Sequence, residues 1–390
     1  MDVRLVAPSS PDRIATSQHA LETAGIATAM VPAHRRTLVG ESMKVLRAAI
    51  DQKPYVLFGR HFRPPVLRTL QQQIAGSQPS ALYLDHLDSL AYADAFPDLP
   101  VVIDMHNVYS KLVARLAGES GVMRRRYLER ESILLERMER QATRVAHTIL
   151  AVSQEEAEYF RHLGARRVVV VPNGVDSDAF KDMPIGNRKG PPTVLFVGSL
   201  AWQPNANAAQ FLANGVLPVI RQRLSDARLV IVGRDPTPDV LALARPGSNV
   251  TVAANVREVA PYYRDAHVLA VPLQSGGGTR LKILEAFAAG VPVVSTPVGC
   301  EGIDAMPGSH LVVADHADFA TVLTKLLEQP QRAHTLAVRA RSLARARYDW
   351  SVVGERACEA VAAAMESDTL TRPMAWEVPG SSPSRGAVQN

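Results

Sequence analysis

Cysteine, aromatic residues and long apolar runs are all scarce in this chain, and each shortage removes a class of explanation. The two cysteines, Cys300 and Cys358, stand far apart, with neither the paired spacing of a metal site nor the density of a disulfide framework. They fit a reducing compartment. Aromatics make up 5% of the residues and do not interleave with basic ones, so a base-stacking nucleic-acid surface is the weakest of the anionic partners. No apolar run approaches the ~18 residues that span a bilayer, and the opening MDVRLVAPSSPD has no basic stretch leading into a long apolar one. The expectation is a soluble, cytoplasmic protein. Histidines, cysteines and carboxylates nowhere fall at metal-ligand spacing, so no metal is expected. Charge of one sign is also missing: 43 basic against 38 acidic residues leave +5, which favours anionic partners without choosing between nucleotide and membrane surface. At 390 residues and 47% hydrophobic composition, two domains of ordinary size can each bury a core.

What the chain does have is SGGGTRLKILEAFAAGVPVVST, residues 275–296. Three glycines, Gly276, Gly277 and Gly278, let backbone amides approach a ligand without Cβ obstruction. Thr279 is placed to N-cap a helix with Leu281, Leu284 and Ala288 on one face, stopped by Gly290 and Pro292, and Val291 to Ser295 reads as a buried strand. Arg280 and Lys282 fall in the first turn, where the helix dipole disfavours cations by roughly 0.3–1 kcal/mol each. An anion arriving there reverses that penalty. Glycine amides, a helix N-terminus and two cations describe a phosphate site, with Glu285 one turn on as an acceptor for sugar hydroxyls. The bland alternative is a solvated first turn after a glycine-rich loop. GxxxxGK[ST] does not match, and GxGxxG fails at Leu281.

The first half alternates strands and helices. Strands are expected at 2–7, Ile26 to Val31, Ala81 to Leu84, Val101 to Ile103, Thr148 to Val152 and Val168 to Val171, with helices at Ser17 to Ala24, Glu41 to Ile50 and Val66 to Ile74. The strands read as buried and parallel. His106 directly follows an apolar strand, at the carboxyl edge where open α/β sheets bind ligands. A lone histidine there is as often structural. Arg124 to Arg126 open a long charged helix in which Glu136 and Arg140 form an i,i+4 pair, so a solvated face is favoured over a binding patch. PNGVD, residues 172–176, is a turn, and the proline, glycine and charge of 177–192 read as a linker. A second alternation follows, with strands at Val194 to Val197, Leu229 to Val232, Val250 to Val252, Val268 to Val271, Val291 to Ser295 and Leu311 to Val313. Gly198 lets the chain turn into a helix capped by Asn205, the loop GSLAWQPNAN carries no basic residue, and Trp202 reads as packing. Gly233 and the turn Asn255 to Arg257 lie on the same carboxyl edge. Ser351 is placed to cap a terminal helix, and the serine, proline and glycine of 367–390 read as disordered.

The 275–296 stretch resembles the donor-site segment of the retaining glycosyltransferases of family 4, also called glycosyl transferases group 1, in a subgroup carrying GGGTRLKILEA. The resemblance implies the GT-B fold: α/β, with two Rossmann-like domains facing across a cleft. The corresponding boundaries are an acceptor-side domain at 1–176, the linker 177–192, a nucleotide-sugar-binding domain at 193–348, a helix at 349–366 crossing back to the first domain, and the tail. Most members span the site with Glu-x7-Glu. Glu285 holds the second position and Gly277 stands at the first, which shifts weight to the glycine amides, Arg280 and Lys282. The D-x-H-N context is similar to the family's, implying that His106 faces the donor sugar, with Asp104 and Asn107 supporting its loop. PNGVD is similar to the interdomain segment and brings in Asn173, while Gly198, Gly233, Val256 and Thr279 join the donor-binding set. The implied reaction moves a hexosyl group from a nucleotide-sugar to a glycan or lipid-linked acceptor in cell-surface polysaccharide biosynthesis. It uses no cofactor beyond that co-substrate, no metal and no nucleic acid, either in the cytoplasm or peripherally at the cytoplasmic face of the inner membrane. A nucleotide-sugar epimerase on the same fold and a non-catalytic nucleotide-sugar-binding protein stay open, whereas a nicotinamide oxidoreductase lacks its early glycine fingerprint. Family members open with a strand, a glycine-rich loop and a helix. Here DVRLVAPS resembles their second strand and the first glycine is Gly25, so that first unit is expected to be missing, leaving open strand edges.

Overall fold

The computed structural model describes residues 2–33, 42–43, 48, 50, 52–55, 63–118, 120–185, 188–275 and 280–366. Most of the helix expected at Glu41 to Ile50, the segment Gly276, Gly277, Gly278 and Thr279, and the tail 367–390 lie outside these described residues.

The first half places its strands in two parallel sheets. β1 (Arg4–Ser9) pairs with β2 (Ala27–Pro32), while β3 (Leu82–Asp85), β4 (Val101–Met105), β5 (Thr148–Ala151) and β6 (Val168–Val170) form a four-stranded sheet in that order. Among the described residues β1 bonds only to β2, and β3 only to β4. The expectation of uniformly buried strands needs correcting here. Val3 is 56% exposed and Leu5 37%, and Val31 is the only fully buried residue of the pair, packing with Val66 of the helix Pro64–Ser77 and with Tyr92. The four-stranded sheet is a true core: Val101, Ile103, Ile149 and Ala151 are fully buried beside Leu135 and Phe160. Leu135 comes from the helix Val122–Val145, whose Arg124 to Arg126 stay exposed as a solvated face.

The second half forms one parallel sheet from β7 (Thr193–Ser199), β8 (Arg228–Arg234), β9 (Val250–Ala254), β10 (Val268–Val271), β11 (Val293–Ser295) and β12 (Val312–Val313). Its order is β12-β11-β10-β7-β8-β9. Strand order therefore reverses between β7 and β10, and the carboxyl ends of these neighbours make the crevice where such sheets bind ligands. The helix Leu281–Ala288 follows β10 at that crevice.

Three local expectations are corrected by packing. Leu284 and Ala288 are buried as the spacing suggested, but Leu281 is 48% exposed, and Ile283, Ala286 and Phe287 complete the inward stripe instead. The segment 177–192 is not a free linker: Phe180 and Met183 belong to the second domain's core, and buried Arg341 donates to the carbonyls of Phe180, Lys181 and Met183. The terminal helix Trp350–Met365 is capped by Asp349, whose carboxylate accepts from the amide of Ser351 at 3.0 Å, so Ser351 is the recipient of the cap. That helix lies on the first domain, where Val353, Ala360 and Ala364 cover Val102 and Leu150. Val175 and Asp349 pair as the chain passes twice between domains, and a Cβ on Gly174 would stand 2.5 Å from the Trp350 ring, so only glycine fits that crossing.

Candidate active site

On the second domain, the site is built at the start of the helix Leu281–Ala288. Arg280 is the N-cap residue, buried at 5% exposure, and its Nη2 donates to the Val298 carbonyl at 3.4 Å. Burial lowers its pKa, with Arg115 adding a like charge and Glu301 opposing it. Lys282, in the first turn, donates from Nζ to Asn205 Oδ1 at 3.0 Å and sits 4.6 Å from the centroid of the Phe196 ring. Burial first, and the charge of Arg280 second, hold it down to about 7. Glu285 accepts from the Tyr263 hydroxyl at 2.8 Å, and burial raises its carboxyl. Tyr263 is fully buried and meets Phe180 edge-on at 5.9 Å, so the core fixes the orientation of Glu285.

The loop after β7 was misread in one respect. The helix is Gln203–Phe211 with Trp202 at the N-cap position, which places Asn205 inside the first turn. Its amide donates to the Ser199 carbonyl at 2.9 Å and its oxygen accepts from Lys282. Gly198 is part of β7, opposite Gly233 in β8. A Cβ on Gly198 would meet the Asn205 amide at 2.7 Å, and one on Gly233 would strike the Gly198 carbonyl oxygen at 1.8 Å. These glycines serve close packing of the strand ends and make room for the amide that holds Lys282. Val256 is half-buried in the turn after β9, and Asn255, at φ +54°, ties that turn to β8 by accepting from the Asp235 amide at 2.9 Å.

On the first domain, β3 and β4 run in register with Asp85 opposite Asp104, which sets the residues after them side by side. His106 Nε2 lies 2.9 Å from Asp85 Oδ1 and 3.7 Å from Asp104 Oδ2, and its ring stacks on His86 at 4.0 Å. The hydrogen bond to Asp85 raises the His106 pKa against the opposing effect of burial. Bonds from His106 and then His86 hold Asp85 well below the usual carboxylate range. Asp104 accepts from the Tyr83 hydroxyl at 2.5 Å. From the helix Val122–Val145, buried Glu139 accepts from the Ser110 amide at 3.0 Å and hydroxyl at 2.6 Å, anchoring the start of the helix Tyr109–Gly118. Sequence reading missed Asp85, His86, Glu139 and Tyr263, and gave Asn205 only the role of a helix cap. The doublet Asp85-His86, placed like His106 just after an apolar strand, was the available signal for the first two.

A hollow between the domains is lined by Asn107, Lys111, Arg115, Ser153 and Glu156 from the first and by Glu301 and Gly302 from the second. Arg115 grips Glu301 with two bonds, at 2.8 and 2.7 Å. Asn107 follows His106 in the chain and Glu301 acts electrostatically on Arg280, but His106, Arg280, Lys282 and Glu285 do not themselves line this hollow. Asn173 is half-buried in the turn after β6, on the crossing segment. Burial, and then neighbouring carboxylates, push Glu156 up to about 7.

Two parallel-sheet domains with a polar hollow between them align with solved structures over nearly the whole chain. Sucrose-phosphate synthase from Thermosynechococcus elongatus superposes with a TM-score of 0.62 at 17% identity, covering 93% of this chain and 100% of that one. Anabaena HepE in complex with UDP and glucose gives 0.60 at 14% identity, covering 88% of each chain. The chain has the GT-B fold of glycosyltransferases. Both GT-B domains also match family models, residues 1–179 that of Glycosyltransferase Family 4 and residues 191–329 that of Glycosyl transferases group 1. Among curated relatives, a phosphatidyl-myo-inositol mannosyltransferase of Mycolicibacterium smegmatis is 33% identical over 47% of this chain and 49% of its own length. A GDP-mannose-dependent alpha-(1-6)-phosphatidylinositol monomannoside mannosyltransferase of the same organism is 28% identical over 50% of this chain and 56% of its own. The GT-B chain thus spans about half the length of these relatives. No helix among the described residues is long and apolar enough to cross a membrane.

Proposed function

We propose that the chain transfers a sugar from a nucleotide-sugar donor to a glycan or lipid-linked acceptor, with retention at the anomeric carbon and without a metal at the diphosphate. One observation carries this: two buried or half-buried cations, Arg280 and Lys282, meet at a helix N-terminus in the crevice between β7 and β10. A helix N-terminus with one cation at its cap and a second in its first turn favours an anionic ligand. A diphosphate supplies that anion, and its charge grows as the bond to the sugar breaks, so the same cations stabilise the transition state more than the ground state.

Departure of the nucleoside diphosphate breaks the bond to the anomeric carbon. The acceptor oxygen forms the new bond, and its proton leaves to the diphosphate or to water. Glu285, oriented by Tyr263, takes donor hydroxyls, and His106 orients the sugar from the opposite domain. The relatives' activities favour transfer over epimerisation. Acceptors at a membrane surface would bring the protein to the cytoplasmic face of the inner membrane as a peripheral visitor. The test is a thermal-shift screen of nucleotide-sugars, followed by release of UDP or GDP with cell extract as the acceptor source. Stabilisation by a nucleotide-sugar without acceptor-dependent release would leave a binding protein, and altered donor in the absence of acceptor would make it an epimerase.

A further inference from the structure

The cluster at the carboxyl ends of β3 and β4 holds more than an orienting histidine needs. Asp85 Oδ1 lies 2.9 Å from both His86 Nδ1 and His106 Nε2, and one ligand atom from each of the three residues falls within 4.8 Å of the others. The imidazoles stack at 4.0 Å with 16° between their planes, so one ring must turn out of the stack for both in-plane nitrogen lone pairs to reach a single ion. His86 takes its place in the stack with φ at +68°, a backbone conformation that side-chain-bearing residues rarely adopt and that persists only where the surroundings enforce it. Asp104 stands 3.7 Å from the same nitrogen of His106 and is itself held by Tyr83, giving the group an outer carboxylate. The Asp85 side chain is 67% exposed, so the cluster opens to solvent.

We infer that Asp85, His86 and His106 bind a divalent transition-metal ion of the zinc type. Two imidazoles and one carboxylate are the donor set this ion takes when a coordination position stays open to solvent. The hydrogen bonds from both rings to Asp85 are replaced by bonds to the ion, each neutral imidazole carrying its proton on the other nitrogen. Binding occupies His106 Nε2, so the ion inhibits transfer. Inhibition rests on the proposed role of His106, whereas binding does not.

Zinc alone, titrated onto the full chain in competition with a chromogenic chelator, reads the site directly. His86→Ala and Asp85→Asn should each weaken binding by at least about 10–100-fold, as loss of even an outer partner does. His19→Ala, on the exposed helix Ile14–Thr23, should leave it unchanged. Asp85→Asn keeps the side-chain shape, and circular dichroism checks that both variants fold. Parental affinity in either variant, or no binding by the parent, overturns the site. With transfer established, zinc should inhibit the parent and not His86→Ala; binding without inhibition overturns the inhibitory role alone. A chain that transfers no sugar under any condition refutes the proposed function, and the titration still decides the metal site.

Discussion

Lys282 ties charge, burial and ligand together. Burial holds its pKa down to about 7 from an ordinary 10.5, so between these values the unfolded chain binds more protons than the folded one. Stability from this group therefore rises with pH across that window, reaching its full value above the unfolded pKa. A bound diphosphate works in the opposite direction, raising the lysine's pKa and drawing in a proton. Nucleoside diphosphate affinity should fall as pH climbs above about 7, by at most tenfold per unit for one proton, and Lys282→Met should flatten the profile. Calorimetry in buffers of different ionisation enthalpy checks this, since proton uptake appears as a buffer-dependent heat. Arg280→Ala should cost about 1.5–3 kcal/mol of charge-assisted binding, and unchanged affinity for UDP and GDP would exclude it from the diphosphate site. Glu285→Gln should weaken donor use with little change in melting temperature, because the Tyr263 hydroxyl still finds an oxygen to bond. A large loss of stability with intact turnover would make Glu285 structural.

Elements with strong periodicity were legible, while their ends depended on partners that sequence spacing does not show. Val268–Val271 follows from an apolar run that a buried strand satisfies. The helix around Asn205 was placed correctly, but its start was taken at the one residue that looks like a cap. Pro204 is better suited to the first turn than to a strand end, so the helix begins at Gln203 and frees Asn205 to reach Lys282. Gly198 reads in the sequence as a turn into the helix and Gly233 as a residue of the carboxyl edge, and what the sequence does not show is the atom that a Cβ at each would strike. Gly198→Ala should displace the Asn205 amide, cost about 1–3 kcal/mol of stability through overpacking, and weaken diphosphate binding together with it. Asn205→Ala, which leaves the glycine in place, should weaken binding with a smaller loss of melting temperature. If Asn205→Ala binds as the parent does, the link to Lys282 has no role in the donor site.

At the scale of the whole molecule, the two-domain arrangement was legible because α/β alternation restarts after the PNGVD turn, but contacts between the domains were not. Arg115 and Glu301 are 186 residues apart, and nothing in their local sequence joins them. The pair is half exposed, and such ion pairs contribute only about 0–1 kcal/mol, too little to decide folding. An energy of that size can bias a domain closure. The same Glu301 acts on Arg280, so the bond to Arg115 competes with a direct balance of charge at the diphosphate site. Arg115→Ala should therefore leave the melting temperature nearly unchanged while loosening domain closure, raising the donor KM with a smaller effect on turnover. His106→Ala should show the reverse, a fall in turnover exceeding any loss of nucleotide affinity, if it orients the sugar from the opposite domain as proposed. Exchanging the charges, with Arg115→Glu and Glu301→Arg combined, restores the pair's attraction across the hollow but puts a new cation beside Arg280. If the contact works only as a latch, the double variant recovers the parent's KM; if Glu301 also balances Arg280, the latch returns and diphosphate affinity still changes. Small-angle scattering with and without UDP separates closure from affinity, and a radius of gyration identical in parent and Arg115→Ala under both conditions would show that the pair has no part in closing the cleft.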